Sequence, residues 1–143
     1  MRACAALALS GRYAAMGSQA AMGLRAWADD RGVELRIEDD RSEPAESARL
    51  LGSLATGADL VFGPYGSGPA RAVARELAGR PEVVWNHGGA AVPRTGARMV
   101  DVLGPADSYW RGLPAALDAL GEGSSPVAVA RSPGGFGAAV ADG

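Results

Sequence analysis

The chain has no lysine; all fourteen of its basic residues are arginine. That absence excludes Schiff-base chemistry, a phosphate-loop lysine and a lysine general base within these residues. Cysteine is almost as scarce. Cys4 alone can form neither an internal disulfide nor a multi-cysteine metal site, and its apolar surroundings read as those of a small buried residue. Excess charge of either sign is missing too. The net charge is −2, with no basic patch and no interleaving of aromatic and basic residues, which argues against a nucleic-acid footprint. No stretch is long and apolar enough to span a bilayer. The apolar run in Met1–Ser10 is too short for a signal peptide and is followed at once by Ser10-Gly11-Arg12-Tyr13. Residues 2–9 are therefore expected to be a strand of the fold, and the chain to carry no export signal.

What remains is an ordinary globular composition, 48% apolar and 21% charged over 143 residues, about one domain with a real core. Strands and helices alternate along it. After the strand at 2–9 comes a helix from Gly17 to Asp30, whose Ala20, Ala21, Leu24, Trp27 and Ala28 form a buried stripe. A strand at Val33–Ile37 exits into Glu38-Asp39-Asp40-Arg41-Ser42, and a helix opens at Pro44, a good first-turn residue. Then follow a strand at 59–62, a helix at 69–79, a strand at 82–86, a loop at 93–97 and a strand at 99–103. A helix at 107–121, limited or bent by Pro114, and a sixth strand at 127–130 come last, before a glycine turn into another helix. This pattern predicts an α/β fold: a parallel sheet with helices on both faces, right-handed crossovers, and the first four strands central. The end resembles a supersecondary unit cut in the middle, so the chain is expected to be truncated.

One stretch organises the rest. Ala58-Asp59-Leu60-Val61-Phe62 is a buried strand that stops in Gly63-Pro64-Tyr65-Gly66-Ser67-Gly68 and feeds a helix. Such a loop offers backbone N–H groups and the Ser67 hydroxyl at the positive end of a helix, where an anion is stabilised. A second strand end, Val83–Asn86, leads into His87-Gly88-Gly89-Ala90. Neighbouring parallel strands put their carboxyl ends on one edge, so these loops read as two sides of one small-molecule site. Plainer readings stand beside this one. Ser67 could simply cap the helix, Gly88 and Gly89 could serve the turn, and His87 could be a hydrogen-bonded loop residue. Trp85 could pack or touch ligand, while Trp27 and Trp110 read as packing.

Enzyme readings find little support. Ser67 lacks the Gly-x-Ser-x-Gly context, having Tyr65 and Pro69 at the glycine positions. Ser67, His87 and Asp101 fall on successive strand ends, and only geometry could make them a triad. The glycine loop is neither a phosphate loop, for want of its lysine, nor a dinucleotide fingerprint, which should follow the first strand. Asp39, Asp40 and Glu43 have poor metal-ligand spacing and read better as charges at a helix N-terminus.

Three runs then carry a resemblance: Leu9-Ser10-Gly11-Arg12-Tyr13-Ala14-Ala15-Met16-Gly17, Glu38-Asp39-Asp40-Arg41-Ser42-Glu43-Pro44, and Gly63–Gly68. With Ser108–Gly112 and Gly135–Val140 they resemble the type 1 periplasmic binding proteins, in the leucine/isoleucine/valine-binding branch that serves ABC importers. The resemblance runs through essentially the whole chain. It implies two α/β lobes with ligand between them: residues 1–104 as the first ligand-binding lobe, residues 105–143 as the beginning of a second, truncated one. It implies a substrate-binding component of an ABC-type importer, not an enzyme, for a small polar metabolite such as an amino acid or amide-like compound. Alternatives are a ligand-sensing module of a receptor or regulator with the same fold, or a truncated fragment without function. Ser67 matches the family's loop serine and Gly88 its backbone contact, while Ala90 falls where a hydroxyl often stands. That loss removes about 0.5–1.5 kcal/mol of hydrogen bonding to a plain α-amino acid. Met16 matches a pocket wall in the loop after the first strand, and Phe136 an aromatic that closes over the ligand; His87 is a further candidate. The acid that pairs with a ligand ammonium would lie beyond residue 143. Implied partners are the small-molecule ligand and the importer's membrane subunits, with no nucleic acid, no direct membrane insertion, no cofactor and no metal. The implied location is periplasmic or extracytoplasmic.

Overall fold

The computed structural model describes residues 1–90 and 96–142. Residues 93–95 of the expected loop lie outside the described residues. The centre is strand β1, Arg2–Leu7, in which every residue after Arg2 is buried. Its residues are mostly alanine and cysteine, small enough for a helical layer to press on each face. β1 pairs in parallel with β2 (Glu34–Asp39) on one side and β3 (Leu60–Phe62) on the other. β3 pairs with β4 (Val83–Asn86), and β4 with β5 (Arg98–Asp101), again in parallel. The order is β2-β1-β3-β4-β5.

Parallel neighbours require crossovers, and three helices provide them. These are α1 (Ala14–Arg31), α2 (Pro44–Leu54) and α3 (Ser67–Glu76). Helix α1 lies on one face, where Ala21, Ala20 and Leu24 pack on Ala5, Leu7, Ile37 and Phe62. Its Trp27 meets Phe62 edge-on at 5.7 Å. Helices α2 and α3 cover the other face with Leu51, Ala55, Val73 and Leu77 against Cys4, Ala6, Val61 and Val84. The expected parallel α/β architecture is thus present, with helices on both faces. Burial pushes the Cys4 thiol up to about 11, so it stays protonated and inert inside this layer.

Three expectations need correction. β2 is an edge strand, not a central one, because the first crossover leads outward and the second returns past β1. Its Glu34 and Arg36 are exposed, as suits an edge. The helix expected at 107–121 is broken into a 3-10 turn at Ala106–Ser108 and a short α4, Leu113–Ala119. Pro114 sits in the first turn of α4, since a proline has no N–H to continue a helix through it. The sixth strand does not form. Residues 127–130 are exposed and have no paired neighbour among the described residues, and a strand without a ladder has nothing to hold it. A last helix, α5, spans Gly135–Ala141.

The α1 face is only half covered. Register places Trp85 beside Phe62 and Val100 beside Trp85, on the side where α1 reaches only β1, β2 and Phe62. Trp85, Val83 and Val100 are each about two-fifths exposed there.

Helix α1 approaches β1 closely through one residue. A Cβ on Gly17 would overlap the Ala8 carbonyl and lie 2.9 Å from the Ala8 nitrogen, whereas one on Gly23 in the same helix meets nothing within 4 Å. Gly17→Ala is therefore expected to destabilise the fold by about 2–4 kcal/mol through overpacking. Gly23→Ala should stabilise it by about 0.5–1 kcal/mol, by removing backbone freedom from the unfolded chain. Urea denaturation of the two variants checks both signs.

Candidate functional site

Successive strands leave β1 in opposite directions, β2 to one side and β3 to the other. The loops after β1 and β3 must then part at the carboxyl edge of the sheet, and the gap between them is the ordinary place for a ligand in such folds.

The loop after β1 is held by the end of β2. Asp39 Oδ1 accepts hydrogen bonds from the backbone N–H groups of Leu9 (2.9 Å), Ser10 (3.1 Å) and Arg41 (2.9 Å), and Oδ2 accepts from Ser10 Oγ (2.7 Å). Desolvation works to raise this carboxyl, but the donors together hold it below the usual aspartate range. Ser42 Oγ donates to the Ser10 carbonyl (2.9 Å) and accepts from the Tyr13 N–H (3.0 Å). Ser42 and Arg41 both take positive φ, 63° and 56°, a strained turn for residues with side chains. Buried Asp40 holds the turn by accepting from the Ser42 N–H (2.8 Å) and Ser47 Oγ (2.9 Å); burial pushes its own carboxyl up. Asp39 and Asp40 thus clamp a loop, a role their spacing near a helix start did not reveal. What the clamp aims is Arg12 and Tyr13.

The loops after β3 and β4 are tied to each other. Gly66 N–H donates to the Gly88 carbonyl at 2.9 Å, and Tyr65 pairs with Gly88 as an isolated parallel bridge. A Cβ on Gly88 would stand 2.8 Å from the Tyr65 Cα, so the second loop must bring glycine here. Asn86 closes that loop on itself. Its Nδ2 donates to the Gly89 carbonyl (2.6 Å) and to Asp101 Oδ1 (2.7 Å), and its Oδ1 accepts from the Gly89 N–H (2.9 Å). At the start of α3 the capping position is Gly66, at φ 101°, and no side chain caps the helix through it. Ser67 is the first helical residue and is buried.

These loops, with Leu103, Tyr109, Ser132 and Gly134 to Phe136, line an open cavity of about 460 Å³. Of the residues anticipated from the sequence, Ser67, Gly88, Ala90 and Phe136 line it. Met16 and His87 do not. Met16 lies within α1 instead of a loop, next to the Gly17 that faces β1, and so points to solvent. His87 sits behind the loop, its ring 6.4 Å from that of Tyr65. Trp85 is on the sheet face, not in the cavity. Sequence reasoning missed Arg12, Tyr13, Tyr65, Arg71 and Tyr109, all of which line the cavity. The rings pair edge-on, Tyr13 with Tyr65 at 5.4 Å and Tyr109 with Phe136 at 5.8 Å, and Arg12 lies over the Tyr13 ring at 4.6 Å. The Ser67, His87 and Asp101 set is not assembled. Asp101 is engaged by Asn86, and His87 Nε2 is buried with no hydrogen-bond partner among the described residues.

No protein-family model and no curated relative matches the chain. Solved structures do. The solute binding protein of an ABC transporter from Rhodopseudomonas palustris BisB5, in complex with 3,4-dihydroxy benzoic acid, superposes with a TM-score of 0.75 over 99% of this chain and 41% of that one, at 17% identity. The leucine binding protein LivK from Thermotoga maritima MSB8 gives 0.70 over 85% and 38%, at 18% identity. The branched-chain amino acid transporter substrate binding protein LivJ from Streptococcus pneumoniae str. Canada MDR_19A, in complex with isoleucine, gives 0.67 over 78% and 38%, at 18% identity. The fold is that of the type 1 periplasmic binding proteins. At these identities the likeness is one of fold, and the chain spans about two-fifths of the length of those structures. Within the periplasmic-binding-protein fold, no helix among the described residues is long and apolar enough to cross a membrane, and no group of three His, Cys, Asp or Glu among them could hold a metal ion.

His87 generates a prediction of its own. Burial lowers its pKa below the ordinary 6.5, so the folded protein resists a proton that the unfolded chain accepts. That contribution to stability is whole above about pH 6.5 and is lost as pH falls through 6.5 toward the lower folded value. The thermal midpoint is expected to drop between about pH 7 and pH 5.5, and His87→Phe to make the drop shallower. Asp40, with its raised carboxyl, works in the opposite sense at lower pH. The check is therefore the difference between variant and parent in paired melts, not the slope of either alone.

Proposed function

We propose that this chain is the ligand-binding lobe of an ABC-type solute-binding protein, holding a small polar metabolite that carries a carboxylate. The observation that carries this reading is the cavity's position. It opens at the carboxyl edge of a parallel sheet, between the diverging loops of β1 and β3, with the amino end of α3 and Ser67 in its wall. Two of the solved neighbours hold ligands with a carboxylate, isoleucine and 3,4-dihydroxy benzoic acid, and all three described above are substrate-binding proteins, not enzymes. The unassembled Ser67, His87 and Asp101 set favours binding over hydrolysis in this chain as well.

In the same reading residues 105–143 begin a second lobe. Helix α4 buries none of its residues, residues 121–136 are exposed, and Val127 and Val129 face solvent. Such surfaces suit elements whose packing partners belong to another layer. The importer's membrane subunits would then be the partners, and an extracytoplasmic location would follow.

A lobe that supplies one wall leaves the ligand's other face in water, so millimolar affinity is expected, about −4 kcal/mol. Ligand-observed NMR with isoleucine, leucine and 3,4-dihydroxybenzoate tests this directly. At least one should bind, and Ser67→Ala should weaken it by about 1–3 kcal/mol. Absence of saturable binding by all three would sink the reading.

A further inference from the structure

His87 stands behind the cavity wall, outside the residues that line it. Its Nε2 is buried with no hydrogen-bond partner among the described residues. Its ring lies 6.4 Å from that of Tyr65, which lines the cavity and meets Tyr13 edge-on at 5.4 Å. The next residue in the chain is Gly88, whose carbonyl accepts the Gly66 N–H at 2.9 Å. Gly88 also stands too close to Tyr65 for any Cβ. His87 is thus set directly behind the seam where the loops after β3 and β4 meet.

We propose that His87 is a proton-operated latch on that seam: neutral, it lets the two loops lock together, and protonated, it parts them. A protonated imidazole donates from both nitrogens and carries a full charge. At Nε2 that charge would be buried without an acceptor, a far greater cost than burying the neutral ring. The ring escapes the cost by reaching water, and the structure decides what yields. Asn86 closes the turn on itself with three hydrogen bonds, two to the Gly89 backbone and one to Asp101. Beyond Asn86, one backbone hydrogen bond among the described residues, Gly66 to Gly88, joins that turn to the loop after β3. The turn therefore moves as a unit, and the seam is what opens. Tyr65 lies on the seam, so the cavity wall changes shape with it. Of the groups around the ring, Tyr65 faces it directly, Asp101 is taken up by Asn86, and Arg12 lies over Tyr13. Arg94, in the segment that follows, lies outside the described residues. Burial, with no charged group among the described residues contributing, disfavours the proton. The latch acts on the cavity of the solute-binding reading but is tested without a ligand, so its failure leaves that reading standing.

The test is amide hydrogen exchange by NMR on the 143-residue chain from about pH 7 to 5.5, with the His87 ring followed in the same samples. Exchange at Gly66 is divided by its intrinsic rate at each pH, and the Cys4 amide in the middle of β1 reports global unfolding. The open form takes its proton near the ordinary 6.5, and the closed form only below that. Protection of Gly66 is therefore expected to fall about fivefold to tenfold over this range. At every pH it should lie about tenfold or more below that of Cys4, because the seam opens without the core. His87→Phe keeps a ring and takes no proton, so its Gly66 protection should stay constant within about twofold. His87→Gln is measured beside it, and if neither variant folds, the parent curve and the ring titration decide alone. Gly66 protection that ignores pH or equals that of Cys4 would overturn the latch. So would a His87 ring midpoint at or above 6.5, or an undiminished pH dependence in either variant.

Discussion

Strand β1 is the constraint on which the rest of the molecule depends. It is hydrogen-bonded on both edges and buried on both faces, so beyond Arg2 its side chains must be uncharged and mostly small. The run of alanine and cysteine meets that demand, and Gly17 carries it into the helix that lies closest. The reversal of chain direction at β1 follows, since its two neighbours can be reached only by leaving it in opposite senses. The cavity is a by-product of that reversal. Nothing had to be carved out of the core to make it.

The wall is then finished by polar groups on the loops, not by the core. Asp39 and Asp40 sit next to each other in sequence and do different work. One collects backbone donors at the surface and is held more acidic; the other is buried, is pushed toward neutrality, and steadies a turn of unfavourable φ. Their joint effect is to fix where Arg12 and Tyr13 stand. Strain at Arg41 and Ser42 is tolerated because four hydrogen bonds surround it.

Much of the fold could be read from residue patterns. Apolar runs of strand length, alternating with stripes at helical spacing, placed all five strands and the first three helices to within a few residues. Failures cluster after residue 104, where burial is slight. Val127–Ala130 has the composition of a strand, yet composition cannot supply a neighbour to pair with, and Pro114 decided the fate of a helix that spacing alone extended. The site divides in the same way. Ser67 and Gly88, expected from loop position, and Ala90 and Phe136, expected from the family resemblance, all fall in the cavity wall. Arg12, Tyr13 and Arg71 were not legible, because they are brought in by the Asp39–Ser42 clamp and by the facing of a helix. Met16 stands outside the cavity wall for a related reason: α1 begins earlier than its stripe suggests, which turns that side chain outward.

The backbone tie between Gly66 and Gly88 sets how this surface can diversify. The loops after β3 and β4 are joined atom to atom, and at Gly88 there is no room even for a methyl group. An insertion or deletion in either loop would pull the pair out of register, whereas exchanging Tyr65, Ser67 or Ala90 leaves the tie untouched. Descendants of such a chain are free to reshape the cavity wall by substitution, with loop length held nearly constant.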